Sequence, residues 1–219
     1  MGFIIKRLVT TAVTLLSIFA FGWATLSCFA AYCPGNVYRA SVRLPQSVRR
    51  VAVLPVTVAE PNLTAEIGRD DLEPVVSAEL RKANVFEVVV VSREELRGLT
   101  GRTEWTAKDK LPLEFFERLR SATGCDAVIF CQLAKYQPYV PIAIGWDIKM
   151  VDSRKPQILW AIDEIFSAGD KGTARAARHY YAERIQTPGP LTDSWSMLQS
   201  PRRFAQYTAK AVFATLPIR

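Results

Sequence analysis

Arg49-Arg50-Val51-Ala52-Val53-Leu54-Pro55-Val56 decides the fold. Its centre is apolar at successive positions, as in a strand covered on both faces by helices. Pro55 lacks an N–H and marks the far end of that strand. Further along, Val85-Phe86-Glu87-Val88-Val89-Val90-Val91 has the β-branched make-up of a second buried strand. Between the two, past a loop holding Pro61 and Gly68, Asp70-Asp71 reads as a helix start with an acidic first turn. Pro74 then falls where no intrahelical donor is required. Leu72, Val75, Val76 and Leu80 form the inward stripe of that helix. Strand, helix and strand in this order predict a right-handed crossover between parallel neighbours. Ser92 and Glu95 make a capping box for a short helix bearing Leu96 and Leu99.

Downstream, Leu111, Phe115, Leu119 and Ala122 recur at helical spacing, with Gly124 as the C-terminal cap. Asp126 to Tyr136 reads as a strand. Ile142, Ile144, Trp146, Ile148 and Met150 alternate with other residues in the period-two pattern of a half-covered strand. Asp152-Ser153-Arg154-Lys155-Pro156 is a turn, and Ile158-Leu159-Trp160-Ala161-Ile162 the returning strand, which completes an antiparallel meander. Thr173 to Ile185 is a helix with Ala174, Ala177, Tyr181 and Ile185 on one side. A Pro/Gly/Ser-rich linker runs from Gln186 to Gln199. Ser200-Pro201 opens a last helix with Phe204, Tyr207, Ala211 and Phe213 inward and Arg202, Arg203 and Lys210 outside. The expected fold class is α/β (α+β). It consists of a mixed sheet of about five strands, one βαβ crossover followed by the meander, with helices packed on it and two C-terminal helices.

The amino terminus bears on the compartment. Lys6-Arg7 precede an apolar run from Leu8 to Ala24, the layout of a bacterial export signal. Thr25-Leu26-Ser27-Cys28 then resembles a lipoprotein processing box, with Thr25 where Leu usually stands and Cys28 as the lipid-bearing residue. Cleavage near Ala30-Ala31 to give a soluble secreted form stays open. So does an uncleaved anchor, because no charge appears from Leu8 to Tyr38. The organisation expected is an export segment at 1–27, a tether at 28–48, an α/β domain at 49–169 and basic C-terminal helices at 170–219.

Composition narrows the function. With 219 residues, 49% of them hydrophobic, the chain can bury a core and is neither collagen-like nor a disordered acidic tail. A single His and the lack of a Cys-His cluster make a zinc site or a His-based triad hard to build. There is no Gly-rich phosphate loop and no Gly-x-Ser-x-Gly elbow. Cys125 and Cys131 on one extended strand stand roughly 20 Å apart, far beyond the ~4.4–6.8 Å of a disulfide, so buried thiols are expected. Residues 1–27 carry +2, residues 28–169 carry 0 and residues 170–219 carry +5 of the net +7. A basic terminal segment suits an anionic membrane surface or an acidic partner, or is a solvated helix face with surplus Arg.

The order Arg50-Val51-Ala52-Val53-Leu54-Pro55, Leu80 to Val91, Ser92-Arg93-Glu94-Glu95-Leu96, Gly124-Cys125-Asp126-Ala127-Val128-Ile129 and Ile158-Leu159-Trp160 resembles bacterial envelope proteins with a small mixed α/β domain. Examples are the penicillin-binding-protein activator lipoproteins, the periplasmic part of the curli secretion protein and the amino-terminal domain of the Tol translocation protein. The likeness spans residues 49–166, with Arg154-Lys155-Pro156 where such families usually have a Thr-Gly pair. It implies a periplasm-facing, lipid-tethered module without catalysis that binds an envelope protein in assembly or regulation.

The expectation is therefore no catalytic residue, no cofactor, no metal, no nucleic acid and no small-molecule substrate. Cys28 is the lipidation site, carrying palmitate or a similar acyl chain, and membrane contact is through that lipid. Arg175, Arg178, Arg202 and Arg203, or an exposed sheet edge, form the partner surface. The alternatives are an envelope hydrolase using Asp126, Asp163 or Glu164, and a structural spacer. Asp70-Asp71 and Glu94-Glu95 read as helix-start charges, and His179 as a surface residue.

Overall fold

The computed structural model describes residues 34–184 and 194–219. Among them seven strands form one open mixed sheet. They are β1 (Val37–Arg39), β2 (Arg50–Val53), β3 (Thr57–Val58), β4 (Glu87–Val90), β5 (Ala127–Gln137), β6 (Ala143–Asp152) and β7 (Ile158–Ser167). The order is β1-β7-β6-β5-β2-β4, with β3 beside β5. β2 pairs in parallel with both β4 and β5, whereas β5, β6, β7 and β1 are successively antiparallel. The crossover and the meander thus stand as the sequence predicts.

Two strands exceed the expected five, and each has a local cause. β3 continues the line of β2 along β5: Leu54 N–H donates to Ile129 O at 3.0 Å and Ala59 N–H to Leu133 O at 3.1 Å. Pro55 sits in the gap, where it has no proton to give. β1 lies inside the stretch read as a tether. Val37 opposes Ile162, Leu44 and Val48 are buried, and Leu44 N–H donates to Ile218 O at 2.8 Å. Residues 37–48 are therefore built into the body. Three apolar side chains scattered among Pro, Ser and Arg give no periodic signal, so only pairing with β7 and the chain's end reveals them.

Among the described residues five α-helices cover the sheet. α1 (Leu63–Ala83) begins seven residues before the Asp70-Asp71 start expected from sequence. Asn62 caps it, its side chain accepting from Ala65 N–H at 2.9 Å, and Asn84 ends it in a left-handed conformation. Pro74 is interior. It removes the donor to the Asp70 carbonyl, and a proline at that place suggests a first turn when only the sequence is read. The inward stripe is as expected: Leu72, Val75, Val76 and Leu80 are all buried. α2 (Arg93–Thr100) carries the Ser92/Glu95 capping box, and α3 (Phe115–Thr123) ends at Gly124 with φ 67°. Leu111 precedes α3 and packs on the core without joining the helix.

α4 (Lys171–Arg184), a 3-10 turn (Ser194–Gln199) and α5 (Pro201–Phe213) complete the chain. Ser200 and Pro201 open α5 as read. α4 is rotated from the expected stripe, with Thr173, Ala176, Ala177 and Tyr180 inward and Tyr181 only half-buried. The sequence offers adjacent tyrosines, and the choice falls to Tyr180 because its ring meets Tyr207 of α5 at 5.8 Å. Ile185 and most of the linker lie outside the described residues.

The helices divide unequally between two faces. α1, α4, α5 and the 3-10 turn cover one face along the whole sheet, over Val51, Ile129, Trp146, Ile148, Trp160 and Phe166. α2, α3 and Trp105 cover only Ala52, Leu54, Val128, Phe130 and Val151 on the other.

The larger core holds two indole N–H groups that water cannot reach. Trp146 Nε1 donates to Thr208 Oγ1 at 2.9 Å and Trp160 Nε1 to Thr215 Oγ1 at 3.1 Å. Each hydroxyl passes its own proton on, to Ala205 O and Val212 O. Thr208→Val or Thr215→Val keeps the volume and orphans one buried donor, so each should lower unfolding free energy by about 1–3 kcal/mol. Urea melts of the single and double variants check this, with near-additive losses expected.

Candidate functional site

Two of the acids that could serve catalysis, Asp126 and Glu164, have a structural task. The Asp126 carboxylate accepts Arg49 N–H at 3.0 Å and Arg50 N–H at 3.2 Å and faces Arg154 at 3.2 Å. It locks the start of β5 to the start of β2. Glu164 accepts Gly35 N–H at 2.8 Å and Asn36 N–H at 3.2 Å. Both Asp163 and Glu164 lie within β7, which runs longer than expected, so their side chains leave opposite faces. Asp70 pairs with Arg69 at 2.9 Å in mid-helix. Glu95 is held below the usual carboxylate range by the Ser92 backbone and side chain. His179 is exposed beside Glu183 at 3.4 Å, one helical turn away. Among the described residues no three His, Cys, Asp or Glu side chains gather as a metal site.

In open α/β sheets a ligand crevice forms beyond the carboxyl ends of parallel strands where the strand order reverses. Here that point lies past β2, between β4 and β5. It is filled by the chain itself. Glu104 stands between Arg69 at 2.9 Å and Arg93 at 3.2 Å, and Arg93 also reaches Glu73 at 2.8 Å and Val56 O at 3.2 Å. Beside it, buried Asp147 on β6 meets Lys108 at 3.1 Å and Lys149 at 3.2 Å. The space left, lined by Thr57, Lys108, Cys131, Gln132 and Asp147, is about 10 Å³, enough for one water. None of these pairs is visible in the sequence, because the partners come from α1, α2, the 101–110 loop and β6.

The four arginines predicted for partner binding fall on one side of the molecule, with aromatic rings that the sequence reading left out. Arg178 lies over the Trp195 ring at 4.2 Å. Arg203 lies over Tyr181 at 5.4 Å and donates to Ser196 Oγ at 2.9 Å. Arg175 precedes Arg178 by one turn, and Arg202 adjoins Arg203; both are exposed. Deeper in, Arg184 and Lys210 flank the Tyr180 ring at 4.6 and 4.9 Å, and Arg184 reaches buried Glu79 at 3.7 Å. Burial and then the Glu79 charge push the Tyr180 hydroxyl up to about 12, against Arg184. Trp195 sits in the segment read as linker, where a lone aromatic gives no periodic clue. Cys28 lies outside the described residues.

The β4 edge of the sheet, four residues long, has no strand partner beyond it among the described residues. In β4, Glu87 N–H donates to Arg49 O at 2.8 Å and Val91 N–H to Val53 O at 3.0 Å. The alternate groups, at Val88 and Val90, therefore point away from β2. Val88, Val89 and Val90 are all only half-buried.

No protein-family model matches the chain, and no curated protein matches it in sequence. Solved structures similar to it include the PelC dodecamer from Paraburkholderia phytofirmans at 10% identity, covering 78% of this chain and 94% of that one, TM-score 0.41. Lipoprotein GNA1162 from Neisseria meningitidis is similar at 17% identity, covering 63% and 99%, TM-score 0.40. Hypothetical protein CT253 from Chlamydia trachomatis is similar at 13% identity, covering 76% and 96%, TM-score 0.42. These scores are too low to carry a function across. The three families named from the sequence are not among these structures.

Cys125 and Cys131 are both free and buried, as the strand spacing predicts. Burial pushes both thiols up, Cys131 further, with the Glu73 and Asp147 charges adding to it. The folded protein thus holds these protons more tightly than the unfolded chain. That contribution is whole below the ordinary thiol value near about 8.5 and is lost as pH rises above it. At about pH 8 a maleimide should leave both thiols unmodified in the native protein and label both in guanidinium. Peptide mass spectrometry reads the difference, and native labelling of either would contradict the burial.

Proposed function

We propose that this chain is a non-enzymatic lipoprotein of the bacterial cell envelope, held at a membrane by lipid on Cys28 and facing the periplasm. Its body acts as a protein-binding module in the assembly or regulation of an envelope machine. The observation that carries this reading is the amino-terminal layout: Lys6-Arg7, then an uncharged stretch from Leu8 to Tyr38 that contains Thr25-Leu26-Ser27-Cys28. A basic head followed by such a stretch enters a bilayer with its charges left behind.

Two features of the body support a binding module. The acids open to a catalytic reading, Asp126 and Glu164, spend their oxygens on backbone N–H groups, and the switch-point crevice is filled by Glu104 and its arginines. Meanwhile β4 offers outward amides and half-buried valines, the requirements for adding a strand from another chain. Strand addition takes its affinity from main-chain hydrogen bonds and its specificity from alternate side chains, so such an edge selects a partner without a ligand pocket.

Fractionation of a bacterial host tests the anchorage. Wild type should sit in membranes with a lipid-sized mass increment, and Cys28→Ser should lose both; full-length wild type free in the cytosol would overturn the reading. For the partner, Val90→Lys places a charge beside the open edge at a half-buried residue whose amide points away from β2, leaving the β2 ladder intact. Capture by crosslinking in cells should fall by about tenfold, since blocking a strand edge removes several main-chain bonds. Unchanged capture would exclude β4 as the docking edge.

A further inference from the structure

We infer that the face built by α4, the 3-10 turn and α5 docks on anionic phospholipid headgroups, so that the body lies against the bilayer. The charge distribution carries the first step. In the body, basic and acidic residues balance to zero over 28–169, and several positive side chains meet acids: Arg50 meets Glu87, Arg69 and Arg93 share Glu104, Arg118 meets Glu114, Arg154 meets Asp126, and Lys108 and Lys149 share Asp147. On the terminal face, Arg175, Arg202, Arg203 and Lys210 form no ion pair among the described residues. Four positive side chains of the terminal helices thus stand without a carboxylate partner among the described residues, within a segment, residues 170–219, that carries +5.

The second step is the chemistry of that side. Trp195 is 54% exposed with the Arg178 guanidinium over its ring. An indole at the surface beside cations is suited to the headgroup layer, where its body is apolar and its N–H stays wet. Guanidinium forks match phosphate oxygens two at a time. Arg203 is already held by Ser196 and the Tyr181 ring, so less side-chain freedom is lost on contact. An acidic protein would satisfy the charges, but it gives no reason for a surface Trp between them.

The third step is reach. Glu164 holds the backbone at Gly35 and Asn36, and β7 runs from there to Ser167, with α4 starting at Lys171. Seven residues of chain, at most about 25 Å extended, separate that clamp from the basic helix. For proximity alone the inference rests on the membrane attachment proposed above.

The test uses the mature full-length protein reconstituted with vesicles of phosphatidylcholine alone or with about one-third phosphatidylglycerol, the composition range in which surface potential changes most. Bromine-labelled lipids quench tryptophan at the headgroup level, and the difference between wild type and Trp195→Phe isolates Trp195. We expect Trp195 quenching at least fivefold stronger on anionic than on neutral vesicles. Arg175→Glu/Arg202→Glu, which alters only exposed side chains, should abolish that excess.

Flotation reads attachment separately. Co-flotation with neutral vesicles reports the anchor, whatever Trp195 does. Binding to anionic vesicles alone, with Trp195 quenched, would sink the anchor reading and keep the docking face. Equal quenching on both vesicles, or loss of quenching by polyglutamate with no lipid dependence, would overturn the docking.

Discussion

Two indole N–H groups, on Trp146 and Trp160, control how the molecule is assembled. Each is buried in the sheet's main face, and each needs an acceptor that the sheet cannot provide. Thr208 and Thr215 provide it from α5 and the residues just after it. The last helix is therefore inseparable from the sheet: without it two donors and the side chains around Phe204 and Val212 would face water. Anchoring α5 also anchors α4 and the 3-10 turn, which pack on it, and so sets which arginines turn outward. The basic face is a consequence of how two tryptophans are satisfied.

The other face follows a different logic. α2 and α3 cover only the parallel end of the sheet, and the loop between them returns over the point where ligands enter related architectures. Glu104 is the plug. Standing between Arg69 and Arg93, it turns a potential anion cradle into an internal ion-pair network. With Glu73 included, two guanidinia face several carboxylates, so no net positive field remains to draw a phosphate. The switch-point crevice is closed by charge balance as well as by volume.

How much of this the sequence discloses depends on how far apart the interacting residues lie. Features completed within a few positions were legible: the Ser92/Glu95 box, Gly124, Ser200-Pro201 and the Pro55 stop; β6 instead is buried on both faces except at Lys149 and Asp152, not half-covered as its alternation suggested. Misreadings came where a local signal had two explanations. Pro74 fits a first turn as well as an interior position, and Tyr180 and Tyr181 differ only by packing against Tyr207. β1 and β3 are too short to show a period. The site was less legible than the fold because its pairs are long-range: Arg69 with Glu104, Asp147 with Lys108, Trp146 with Thr208. Arg175, Arg178, Arg202 and Arg203 could be singled out because excess charge is a sum, and a sum needs no contact map.

What the sum could not convey is the manner in which the charges are held. A guanidinium paired with a carboxylate has its fork occupied and its charge cancelled. One stacked on a ring keeps its edge N–H groups available, because the ring holds it through its flat face. Most of the body's paired arginines are of the first kind, and Arg203 over Tyr181 is of the second. Stacking costs little net charge and still removes rotamer freedom, so the side chain is oriented before any partner arrives. Aromatic residues beneath the cations are what distinguish a surface prepared to meet phosphate from a helix that merely carries surplus arginine.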